Sequence, residues 1–241
     1  VNTALTRREF AAFLGASVVA RPVLADTDSL LTRMIPSSGE PVPAVGLGTA
    51  SIFDTANDAT RGKAAAVIRA LIGNGGRLID TASTYGDAEI VVGDEMAMAK
   101  LRDKIFIATK LENPDLSELK RSLARLKTGK VDLLQLHNVR RLNQSLAQFR
   151  AWKAEGICRY TGVTSTYHND FPAIEAVLRR EKPDFVQVDY SIDVRDVEKR
   201  ILPLAADVKA GVLTALPFGR GRLFAAVRGE DDSRLGKWIC W

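Results

Sequence analysis

The chain has 241 residues, 46% of them hydrophobic, and a formal net charge of +5. That is enough apolar material for one sizeable core, and the 26% charged fraction is average and does not indicate disorder. Residues 1–25 hold three Arg and one Glu, so the remainder carries only +3, too little for a nucleic-acid-binding face.

The first segment differs from the rest. Thr6-Arg7-Arg8-Glu9-Phe10 is a paired arginine followed by an apolar run from Phe10 to Ala20. A spanning helix needs roughly 20 apolar residues, so no membrane span is expected. Val23-Leu24-Ala25 then offers small side chains at −3 and −1. This order resembles a twin-arginine export signal over residues 1–25, cleaved after Ala25. It implies the Tat export machinery as a partner and a periplasmic location, with residues 26–241 as the working domain; the alternative is a basic amphipathic N-terminal helix of the domain and a cytoplasmic protein. The chain opens on Val1, so a start upstream or at another codon is expected.

Residues 31–35 and 41–45 read as a small hairpin about Ser38-Gly39 that closes one end of the domain. The run 44–49 reads as a first strand. Further β-rich runs start at residues 77, 105, 131, 157, 185 and 211, spaced by 28, 26, 26, 28 and 26. Helical patterns lie between them. Val67, Ile68, Leu71 and Ile72 fall on one face, Leu116, Leu119, Leu123 and Leu126 on another, and Leu142, Leu146 and Phe149 on a third. Gly73, Gly75 and Gly129 read as helix stops, and Asn169-Asp170 with Pro172 as a helix start.

This alternation predicts βαβ units and a parallel sheet. No Gly-x-Gly-x-x-Gly turn follows a strand, which disfavours an open dinucleotide-binding sheet. A (β/α)8 TIM barrel fits the length better. Seven strands are legible, and after Phe218 no further strand–helix unit fits. The expectation is a barrel that stops before its eighth strand, with two unpaired edges.

In such barrels chemistry sits at the C-terminal ends of the strands. Those ends carry Asp80, Lys110 and His137, and Tyr85 follows in the loop after the second strand. An ion pair would make burial of Asp80 and Lys110 tolerable. An ammonium beside Tyr85 would lower the phenol pKa from roughly 10. A tyrosine so placed can protonate a developing alkoxide, and His137 can orient the carbonyl. No side chain supplies hydride, so a nicotinamide cofactor is implied.

Asp80-Thr81-Ala82-x-x-Tyr85-Gly86, followed by Lys110 and His137 at successive strand ends, resembles the aldo-keto reductase family from about Leu31 to Phe218. The resemblance implies reduction of aldehydes or ketones with NADP(H), with Asp80, Tyr85, Lys110 and His137 as a catalytic tetrad. It also implies that Gly48-Thr49 and Asp80 lie by the nicotinamide ribose and that Gln187 holds the carboxamide. Thr164 and Ser165 stand in the family's Gly-Val-Ser-Asn segment, with Ser165 replacing asparagine. Leu216 or Phe218 takes the stacking position, and Arg220 or Arg222 meets the pyrophosphate. The family's basic residues for the adenosine 2′-phosphate have no counterpart here.

Two other readings stay open. Lys110 could be a Schiff-base nucleophile of an aldolase-type barrel, or the chain could be a non-catalytic nicotinamide-binding sensor or partner protein. A monomer or weak oligomer is expected. Cys158 reads as a buried free thiol and Trp152 as core. His168 reads as a surface residue, and no residues have metal-ligand spacing.

Overall fold

The computed structural model describes residues 30–51, 53, 58–139 and 142–228. Residues 1–25, expected to be an export signal, lie outside these residues, as do Cys240 and the two tail tryptophans. Two short strands, β1 (Thr32–Met34) and β2 (Pro41–Pro43), form the expected antiparallel hairpin. The parallel sheet follows as β3 (Gly46–Gly48), β4 (Leu78–Asp80), β5 (Phe106–Leu111), β6 (Val131–Leu136), β7 (Cys158–Ser165), β8 (Phe185–Asp189) and β9 (Gly211–Ala215). Its spatial order is the chain order. Helices α1 (Asp58–Gly73), α2 (Ala88–Met98), α3 (Leu116–Arg125), α4 (Ala147–Ala154), α5 (Phe171–Glu181) and α6 (Ile201–Asp207) connect the strands, and α7 (Arg222–Ala226) follows β9. Among the described residues the sheet is a seven-stranded, nearly closed barrel. β3 and β9 pair on one side only.

Both faces of the sheet are covered, so its strands read as continuous apolar runs. Alternation then divides the side chains. Leu78, Phe106, Ala108, Leu133, Tyr160 and Phe185 fill the barrel interior. Ile107, Leu111, Leu134 and Leu136 face outward and pack under the helices. The hairpin closes the interior from below. Ile35 enters the interior cluster, and the Tyr160 hydroxyl donates to Glu40 Oε2 at 2.6 Å and lies 2.8 Å from Ser38 Oγ.

Several helix assignments shift. In α1 the buried face is Ala64, Ala65 and Ile68, while Val67 is exposed. Leu116 is exposed in the first turn of α3, although Leu119 and Leu126 are buried. Leu142 is exposed and precedes α4, whose core side is Phe149 and Trp152, with Leu146 buried at its N-cap. The α5 start is as expected, with Asp170 at the N-cap and Pro172 in the first turn.

Helix α2 carries no one-sided pattern because it is buried on several sides, Glu89 and Glu95 included. Gly93 lets it approach α3 closely, since a Cβ there would lie 2.2 Å from the Arg125 carbonyl oxygen. Cys158 is buried, and burial pushes its thiol up to about 12. His168 is partly exposed, stacked on Phe171 and 3.4 Å from Asp196.

Helix stops also differ from expectation. The left-handed residue after α3 is Lys127, not Gly129. Lys100, Lys182 and Lys209 take the same conformation after α2, α5 and α6. A side chain there costs roughly 1–2 kcal/mol relative to the right-handed region, whereas glycine escapes that penalty. Lys182→Gly, at φ 44° and ψ 60°, is expected to raise stability by about 1 kcal/mol, read as a higher urea midpoint at constant m-value.

Candidate active site

Strand stagger decides what meets at the upper rim. Asp80 pairs in register with Ala108, so Lys110 stands one inward position higher on β5. Lys110 pairs with Gln135, and His137 again stands one inward position higher. Asp80, Lys110 and His137 thus mount the rim like a stair.

The Lys110 side chain is 2% exposed. Its ammonium donates to Asp80 Oδ2 at 2.6 Å and to the Thr81 carbonyl at 2.8 Å. Such pairing is what allows a cation inside a barrel. The same Nζ lies over the Tyr85 ring, 5.0 Å from its centroid. The Tyr85 and His137 rings meet edge to face at 5.7 Å. The structure therefore brings together all four residues that the sequence picked out.

His137 is further held. Its Nδ1 lies 2.8 Å from Glu112 Oε1 and 3.5 Å from Thr84 Oγ1. Glu112 also accepts from Asn138 Nδ2 at 3.1 Å.

The candidate cofactor positions divide. Thr164 pairs in register with Gln187 on the neighbouring strand, and both are buried. Nothing lies within 4 Å of a Cβ placed on Gly48, so the space before it is open. Thr49 is buried, and its hydroxyl is committed to the Asp80 carbonyl at 3.0 Å. Ser165 donates to Asp170 Oδ2 at 2.5 Å and accepts from the Tyr167 amide at 3.1 Å, so its hydroxyl is engaged within its own loop. Leu216 is half-buried with φ +56°. Phe218 is exposed and packs on Phe224 with ring centroids 4.9 Å apart. Arg220 is exposed, whereas Arg222 is held by Asp193 at 2.7 Å.

Sequence reasoning missed Gln135. It is fully buried in β6, and its Nε2 lies 3.5 Å from Gln187 Oε1. Gly162 makes room for it, since a Cβ there would stand 3.0 Å from Gln135 Cγ. Gln135 Oε1 and Asp80 Oδ1 are buried acceptors without a partner. The in-strand position two before His137 was the available signal. Glu112 was missed because it lies just past the strand end. Among the described residues no cluster of His, Cys, Asp or Glu suits a metal ion, and no helix is long and apolar enough to cross a membrane.

Against known proteins, residues 44–237 match the model of the Aldo/keto reductase family. The chain is 30% identical over 212 residues to the uncharacterized oxidoreductase YqkF of Bacillus subtilis, covering 79% of this chain and 66% of that protein. It is 31% identical over 203 residues to the methylglyoxal reductase YeaE of Escherichia coli, covering 79% and 70%. Its fold is similar to an aldo/keto reductase from Klebsiella pneumoniae solved with NADP and acetate, with TM-score 0.67 and 28% identity, covering 85% of this chain and 72% of that one. It is also similar to the holo form of AKR11C1 from Bacillus halodurans, with TM-score 0.69 and 27% identity over 80% and 68%. The chain belongs to the aldo/keto reductase family. It spans about two thirds of the length of these curated relatives.

Behind the rim, Glu89 is a fully buried carboxyl. Thr109 donates to its Oε1 at 2.7 Å, Ser122 bonds the same oxygen, and Oε2 has no partner. Burial pushes its pKa up, and the bonds from Ser122 and Thr109 only partly offset this. The folded state thus favours the protonated form. Its contribution is complete below the ordinary value of 4.5 and is lost as pH rises through the folded-state value. Glu89→Gln should remove that loss. The variant's stability relative to the parent is expected to increase from pH 4.5 upward in urea titrations across pH.

Proposed function

We propose that the chain is an NADP(H)-dependent oxidoreductase that reduces aldehydes or ketones to alcohols. The observation that carries this reading is the convergence of Tyr85 on a buried Asp80–Lys110 pair and on His137. The solved relatives bound to NADP or NADPH support the cofactor, and the methylglyoxal reductase among the relatives supports a carbonyl substrate.

The interior fits a nicotinamide. Gln135 Oε1 and Asp80 Oδ1 are orphaned acceptors within it, and the space before Gly48 is open. Gly48, Thr49, Asp80, Thr164, Gln187, Leu216, Phe218 and Arg220 would hold the cofactor. Ser165 would serve only after releasing Asp170 or the Tyr167 amide. Bound NADPH would supply the hydride.

The chain's own residues do the rest. Tyr85 Oη donates a proton to the carbonyl oxygen as negative charge develops there. The Lys110 ammonium, with Nζ 5.0 Å from the ring centroid, faces the negative charge left on the ring. Asp80 holds that ammonium in place. His137, with Nδ1 toward Glu112, offers its other ring nitrogen to orient the carbonyl.

The Schiff-base reading fits less well. Lys110 Nζ is locked by Asp80 Oδ2 and the Thr81 carbonyl, so it is not free to approach a substrate carbonyl. The sensor reading predicts cofactor binding without turnover. We further propose export: the paired arginines would direct the folded chain out through the Tat machinery. Replacing both Arg7 and Arg8 by Lys should retain the protein in the cytoplasm, as read by cell fractionation.

Titration of residues 26–241 with NADPH, followed by fluorescence, tests the reductase reading directly. Micromolar binding is expected, with NADPH oxidation by an aldehyde panel. Tyr85→Phe should bind cofactor equally and lose roughly 10²-fold or more in rate. Binding with no carbonyl-dependent oxidation would favour the sensor, and no binding by folded protein would sink both.

A further inference from the structure

Two members of the tetrad, Asp80 and Lys110, stand on strands, whereas Tyr85 and His137 lie on the loops past the ends of β4 and β6. Side chains on such loops keep catalytic geometry only if something behind them fixes the loops together. We propose that Glu118 of α3 is that positioning residue, an inference that rests on the reductase reading above.

Glu118, Ser122 and Arg125 share one face of α3, at steps of four and three. Glu118 is 7% exposed. Its Oε1 accepts from Ser83 Oγ at 2.6 Å and from the Glu112 amide at 3.0 Å. Its Oε2 accepts from the Asn113 amide at 3.2 Å. Arg125 Nη1 donates to the Ser83 carbonyl at 3.1 Å.

Each of these contacts leads to the rim. Ser83 stands two residues before Tyr85 in the loop after β4. Glu112 begins the loop after β5 and holds His137 Nδ1 and Asn138 Nδ2 through its Oε1. One carboxylate therefore ties the segment that carries the proton donor to the segment that holds the carbonyl-orienting imidazole. Charge-assisted bonds of this kind are stronger than neutral ones, and here two go to loop amides that lie outside the strand ladder.

The neighbouring carboxyl does something else. Glu89 bonds Thr109 within β5 and Ser122 within α3, so it joins a strand to a helix and touches no rim loop. Glu175 is buried in α5 and bonds Arg200 at 2.6 Å. Removing the Glu175 charge perturbs a buried carboxyl that has no bond to the tetrad.

The test uses Glu118→Gln. Glutamine keeps an acceptor for Ser83 and the Glu112 amide but sets an NH2 against the Asn113 amide. Two readouts are taken. The first is the His137 ring signal in carbon–proton NMR spectra of the cofactor-free protein. The chain has only two histidines, and His168, stacked on Phe171, is the internal reference. Edge contact with Tyr85 makes the His137 signal sensitive to the relative placement of the two rings. The second readout is kcat at saturating NADPH, with the KM for NADPH taken separately at saturating carbonyl.

E118Q should shift the His137 signal and leave His168 in place. It should lower kcat about 10- to 100-fold, since misplacement by about 1 Å can cost 10²-fold, while the KM for NADPH stays within about two-fold. Ser83→Ala removes one of the same bonds and should move both readouts in the same direction by less. S83A also decides the matter if E118Q does not fold. E175Q should move neither. The proposal is overturned if folded E118Q, or S83A in its place, keeps the parent His137 signal, or if E175Q shifts that signal equally. A parent protein that oxidises no NADPH with any carbonyl would defeat the reductase reading alone, and the NMR comparison would still decide whether Glu118 sets the rim.

Discussion

The rim is organised around a single buried cation. A lysine ammonium at 2% exposure is tolerable only with its charge answered, and Asp80 and the Thr81 carbonyl answer it. That demand fixes the relative height of β4 and β5. A slip of one residue would turn Lys110 outward into the helix layer and leave Asp80 facing an apolar interior. The phenol and imidazole then find their places beside a charge that is already immobile. The electrostatics of the centre are built into the strand register and do not depend on loop closure.

Polar chemistry extends both below and behind that cation. Below it, the interior passes from Phe106, Tyr160 and Phe185 to the amide layer of Gln135 and Gln187. Behind it, α3 sends polar groups toward the loops while Leu119 and Leu126 seal its underside. A barrel wall with side chains on both faces can thus support a site from two directions at once.

Much of this was legible in the sequence, for definite reasons. Six strand starts at near-constant spacing, with one earlier run, pointed to the parallel barrel, because each βα unit must cross the same sheet. Asp80, Lys110 and His137 stood out because a charged or titratable group ends an otherwise apolar run. Helix α2 stayed hidden because burial on several sides erases amphipathic spacing. Leu142 and Leu116 misled because a helical step says nothing of which turns reach the core. Lys127 defeated the glycine rule at a helix end. Gln135 and Glu118 were passed over for another reason: Gln187 and Ser83, which they bond, lie 52 and 35 residues away, and no local pattern encodes such bonds. Ser165 was recognised as a position, but its engagement with Asp170 depends on loop geometry.

The one-sided pairing of β3 and β9 also bears on how the molecule behaves in company. Among the described residues neither outer edge meets another strand, and Val45 and Val212 beside them are exposed. Such an edge accepts an extended segment, whether from the same chain or from another copy. The net charge of +5 is a long-range counterweight to self-association. At physiological ionic strength that repulsion fades beyond about 8 Å. Colloidal stability should therefore fall as salt rises, the reverse of a protein whose association is driven by opposite charges.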